Sequence, residues 1–63
     1  MGHPINEVNL AKRLEEEGVS AIWRGENKAS KQKIIAEAER YYNKLGYPDI
    51  ETAIARILRW QKW

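Results

Sequence analysis

A chain of 63 residues with a net charge of +2 and no cysteine has room for one core and no second, because so short a chain buries only about 60% of the surface its unfolded form exposes. With disulfides excluded and His3 the sole histidine, the usual staples of very small domains are missing, so packing between helices has to hold the fold. Charged residues make up 32% of the chain with both signs interspersed, which excludes the composition of a disordered segment.

In chain order, the first helix reads from about residue 6 to residue 17, with Val8, Leu10, Ala11 and Leu14 spread over one broad side. Gly18 can take the left-handed conformation that stops a helix and would turn Val19 back onto Leu14. A connector over residues 19–27 holds Ile22 and Trp23 and forms at most one helical turn, capped by Ser20 and ended by Gly25. Asn27 or Ser30 can cap the second helix, over about 28–45, whose apolar residues Ile34, Ile35, Ala38, Tyr41, Tyr42 and Leu45 fall within roughly 120° of arc. Gly46 and Pro48 end it. Asp49 is a strong N-cap for a third helix over about 49–62, and Glu51 suits the positive end of its dipole. Ile50, Ala53, Ile54, Ile57, Leu58 and Trp60 are its expected buried side. No period-two alternation survives outside these helices. The expectation is an all-α fold, a single domain over residues 1–63 built as a compact three-helix bundle, with a short helical-turn connector between the first and second helices.

No apolar run approaches the roughly 20 residues of a membrane span. The charged first helix is unlike a signal peptide, and Asn6 stands where a myristoylation signal wants Ser or Thr. A soluble, cytoplasmic protein is the default expectation for such a cysteine-free chain.

Catalysis finds little to work with. Nucleophilic mechanisms need a nucleophile beside a base that is most often histidine, and His3 sits in an N-terminal Gly2-His3-Pro4 segment of the kind cloning leaves behind. Glu37 and Glu39, two apart on a helix, point in different directions, and Glu15, Glu16 and Glu17 do not converge as a calcium loop does. Gly25 and Gly46 are isolated, with no phosphate-binding glycine loop around them. Neither an enzyme nor a cofactor, metal or small-molecule substrate is expected.

Two groups of residues suit binding. On the third helix, Arg56, Arg59 and Trp63 share the side away from Ile50 and Ile54, with Trp60 at its border. Tryptophan and arginine are enriched where a few side chains carry most of an interface's energy, so this face is the expected contact for a protein partner or for self-association. The plainer alternative makes Trp60 a lid on the core and Trp63 a cover for the helix end. The second group is basic. Residues 19–46 hold six basic groups against three acids, and Arg24, Lys28, Lys31 and Lys33 crowd the start of the second helix, where a nucleic-acid phosphate would be favoured by the lysines and the dipole together. The competing expectation is that Glu15, Glu16 and Glu17 face these lysines across the connector and cancel them.

Leu10-Ala11-Lys12-Arg13-Leu14 followed by Gly18-Val19-Ser20, then Trp23-Arg24-Gly25-Glu26-Asn27-Lys28, and finally Leu45-Gly46-Tyr47-Pro48 with Ala53 and Leu58, resemble in that order fragments of repressor-type helix-turn-helix domains of the lactose-repressor kind. The resemblance implies DNA binding. It departs from the family where only Ala21 and Ile22 stand between Ser20 and Trp23, too few for a recognition helix, so no DNA-reading residue carries over. The clean glycine stops and the aspartate cap also match the rules for designed helices. An engineered binding module, or a designed or structural bundle with no ligand, fits the same sequence.

Overall fold

The computed structural model of the chain describes residues 5–62, the side chain of Lys62 excepted. His3 and Trp63 lie outside the described residues. Four helices follow one another: α1 (Glu7–Glu17), α2 (Ser20–Gly25), α3 (Lys28–Leu45) and α4 (Ile50–Lys62). Three long helices packed around one core, with the six-residue α2 as connector, make the all-α bundle expected from the hydrophobic pattern, and no described residue is in a strand.

Local chemistry sets most boundaries. The Asn6 side chain caps α1 by accepting from the Asn9 amide at 3.1 Å. At the other end Gly18 takes φ 71°, ψ 28°, and the Val19 amide donates back to the Leu14 carbonyl at 2.9 Å. That closure drives Val19 into the core, where it is fully buried. Asn27 caps α3 through the Ser30 amide at 2.8 Å, and Gly46, at φ 71°, ends it by donating to the Tyr42 carbonyl. Asp49 caps α4 by accepting from the Thr52 amide at 2.8 Å.

The expected Ser20 cap is corrected. The Val19 carbonyl already accepts from the Trp23 amide at 3.1 Å, so α2 starts one residue earlier, with Val19 at the cap position and no side-chain cap bond. The Ser20 hydroxyl instead accepts from the Arg24 guanidinium at 3.2 Å.

α4 is the centre of the bundle. Both α1 and α3 pack against it, while α2 packs on α1. Ile50, Ala53, Ile54, Ala55, Ile57 and Leu58 are all buried, and Leu10, Leu14, Ile34 and Ala38 meet them from the flanking helices. The small Ala53 and Ala55 let neighbours approach closely, and each fully buried Ile or Leu contributes about 1.5–3 kcal/mol of transfer free energy.

Four residues assigned to apolar faces are exposed instead: Val8 at 81%, Leu45 at 52% and Trp60 at 49%, together with the small Ala11. Val8 lies about 200° around the helix from Leu10, so when Leu10 and Leu14 turn to α4 it turns to solvent. Leu45 closes α3 where the chain swings away through Gly46. Trp60, near the end of α4, meets Tyr41 of α3 edge-on.

Candidate binding surfaces at the end of α4 and the start of α3

The C-terminal half of α4 is bracketed by its two neighbours. On the α1 side, Glu17 receives both arginines of the predicted stripe: Arg59 Nη1 donates to Oε1 at 2.9 Å, and Arg56 Nε lies 3.6 Å from Oε2. On the α3 side, the Trp60 ring meets Tyr41 edge-on, with centroids 5.5 Å apart and planes at 87°. Arg56, Arg59 and Trp60 are thus gathered on one outward edge of the bundle. The edge contact with Tyr41 orients the Trp60 ring, and about half of the residue's surface is left to solvent.

The basic group is divided. Lys31 Nζ sits 5.3 Å from the centroid of the Trp23 ring, within the range of a cation–π attraction. Arg24 is turned along α2 by its bond to Ser20. Lys33, about 200° around the helix from Lys31, lines a different hollow, of about 190 Å³, with Glu26, Glu37 and Gln61. Lys31 and Lys33 therefore turn to different sides of α3.

Of the three acids expected to cancel this cluster, two are paired away from it and one, Glu15, shares a groove with Arg24. Glu16 pairs with Arg13 on its own helix at 3.0 Å, Glu17 pairs with Arg56 and Arg59, and Glu15 lines a groove between α1 and α2. The reason lies in the direction of the last turn of α1: Glu17 faces α4, and no element carries it across to α3.

A polar cluster escaped the sequence reading. Asn9 Nδ2 donates to Glu51 Oε1 at 2.7 Å and to Asp49 Oδ2 at 3.2 Å, the Asn6 amide donates to Glu51 Oε2 at 3.2 Å, and Arg13 Nη2 stands 3.9 Å from Asp49. Together these tie the start of α1 to the start of α4 and satisfy Glu51, which is only 4% exposed. The signal in the sequence was a pair of asparagines flanking the first turn of α1, one more than a cap requires. Burial pushes the Asp49 carboxyl up, but the Thr52 side-chain and backbone hydrogen bonds, the Asn9 amide and the Arg13 charge together outweigh it and hold Asp49 below the ordinary aspartate value.

Among the described residues no three His, Cys, Asp or Glu side chains gather as metal ligands would, and no helix is long and apolar enough to cross a membrane. No family model matches the chain, and neither a curated protein nor a solved structure shows significant similarity to it.

Proposed function

We propose that this chain is a non-enzymatic binding module that offers the outward edge of α4 to a protein partner, with Trp60 as the anchor and Arg56 and Arg59 beside it. The observation that supports this reading is the half-exposed Trp60 ring held edge-on by Tyr41. A large aromatic already fixed in place loses little side-chain entropy on contact, and tryptophan and arginine are the residues most enriched at interface hot spots. By sequence, Trp63 continues the same stripe. Glu17 holds both guanidiniums while their side chains stay partly exposed, which suits contact with a partner.

A second copy of the chain is the partner to try first, since an exposed apolar face readily pairs with its own image. Sedimentation of the wild type, Trp60→Ala and a chain ending at Arg59 over micromolar to millimolar concentrations tests it. Association of the wild type that both variants lose supports the reading. If the wild type stays monomeric throughout, and binders selected against it by display recognise Trp60→Ala equally well, the reading is wrong.

The second reading, a nucleic-acid-binding domain, is favoured by one observation: Glu16 and Glu17 pair elsewhere, so two of the three acids expected to cancel the basic group are engaged away from it. Phosphate contacts release counterions and fade steeply with salt. Titrating duplex DNA at two salt concentrations therefore separates the readings. A steep salt dependence removed by Lys28→Gln with Lys31→Gln would transfer the function to this face.

A further inference from the structure

The groove between α1 and α2 has a composition that neither binding surface accounts for. Its apolar part is formed by the buried Leu10 and Leu14 and the half-buried Trp23, with Ala11 giving a low rim, and it encloses about 200 Å³. That is below the roughly 300 Å³ of the smallest common small-molecule sites, and it suits one aliphatic side chain of a larger partner. Glu7 and Glu15 line the same groove. They lie two turns apart, about 12 Å along α1, and within about 80° of arc, so both stand on the groove side of the helix. Both are exposed, and among the described residues neither takes part in an ion pair, in contrast to Glu16 and Glu17. The one basic group on the opposite wall, Arg24, is turned to Ser20.

We infer that the α1–α2 groove is a docking site for a basic amphipathic peptide helix, which inserts one aliphatic side chain between Leu10, Leu14 and Trp23 and sets a cation against Glu7 and another against Glu15. The spacing specifies the partner. Cations eight residues apart with the aliphatic residue midway, Lys-x-x-x-Leu-x-x-x-Lys, lie about 12 Å apart on one helical face and match the two carboxylates. Arg24 adds selectivity, since it repels a third cation placed across the groove from Glu15. This site is independent of the Trp60 surface and stands whether or not that surface binds a protein.

The test uses an acetylated, amidated helical peptide with this pattern and a control peptide carrying Glu in place of both Lys, each titrated into isotopically labelled protein and followed by amide chemical shifts. The Lys peptide is expected to shift Ala11, Leu14 and Trp23, to bind more weakly at high salt, and to lose roughly three- to tenfold in affinity for a Glu7→Gln, Glu15→Gln variant, the range expected of two rim ion pairs. Both glutamates are exposed, and among the described residues neither side chain has a hydrogen-bond partner, so that variant keeps the fold. Trp60→Ala should bind the peptide like the wild type. Equal shifts from the two peptides, shifts centred on Tyr41 and Trp60, or no shift at millimolar peptide would each overturn the inference.

Discussion

Glu17, the last residue of α1, accepts a hydrogen bond from Arg59 at 2.9 Å, a contact that spans 42 positions of sequence. The pair fastens the end of α1 to α4 and sets the direction of the arginine stripe. Its strength is limited twice over. The Arg56 and Arg59 side chains are 43% and 48% exposed, so water screens them, and a carboxylate at a helix C-terminus faces the negative end of the dipole. A double-mutant cycle of Glu17→Ala with Arg59→Ala, read by urea unfolding, should give a coupling below about 1 kcal/mol. A value above about 2 kcal/mol would mean the pair is shielded from solvent.

Two glycines should respond in opposite directions. Gly46 has φ +71°, so Gly46→Ala forces a left-handed alanine and should cost about 1 kcal/mol even though nothing obstructs the added methyl. Gly25 has open space around its Cβ position and no positive φ. Gly25→Ala should therefore be neutral or stabilising by up to about 1 kcal/mol, largely through the unfolded chain. Thermal melts of the two variants decide this directly.

Ile54, fully buried on the central helix, and Trp60, half exposed at its end, distinguish core from surface. Ile54→Ala should cost about 2–5 kcal/mol, a large part of the stability of so small a domain. Trp60→Ala loses the edge contact with Tyr41, a matter of about 0.5–1.5 kcal/mol beyond its partial burial, and should leave a folded, cooperative domain by circular dichroism. Equal losses would assign Trp60 to the core.

Asp49 links stability to acid. Its carboxyl is held below the ordinary value in the folded state, so the folded form binds its proton less readily than the unfolded chain does. The resulting stabilisation is fully present above the unfolded aspartate value near 3.8 and disappears as pH falls through the lower folded value. Asp49→Asn, which keeps a capping oxygen, should be less stable than the wild type at pH 7 and approach it as the pH falls through the lowered folded value of the Asp49 carboxyl. Denaturant midpoints measured across that range check the convergence.

The Asp49 cap and the two glycine stops were legible in the sequence because each is a local event, as was the choice of Asn27 or Ser30 for α3, whereas the Asn6 cap of α1 was not read. Asn27 reaches an amide three residues on, Asp49 does the same, and Gly18 and Gly46 stop their helices through φ alone. The central burial of Ile54 and Leu58 followed from periodicity, since apolar residues three and four apart must share a face. Ser20 was misread because two ways of starting α2 differ by one residue, and the carbonyl of the buried Val19 decided between them.

Only the tertiary structure decided which side chains meet across helices. That Glu17 goes to Arg56 and Arg59 rather than to the lysines, that Glu51 is buried under Asn6 and Asn9, and that Lys31 reaches Trp23 while Lys33 turns to the far side of α3 all depend on how three helices are rotated about their axes. Periodicity determines each helix's apolar face to within several tens of degrees. A charged side chain at the edge of that face finds a partner or solvent according to a rotation smaller than this, and packing against the neighbouring helices sets that rotation.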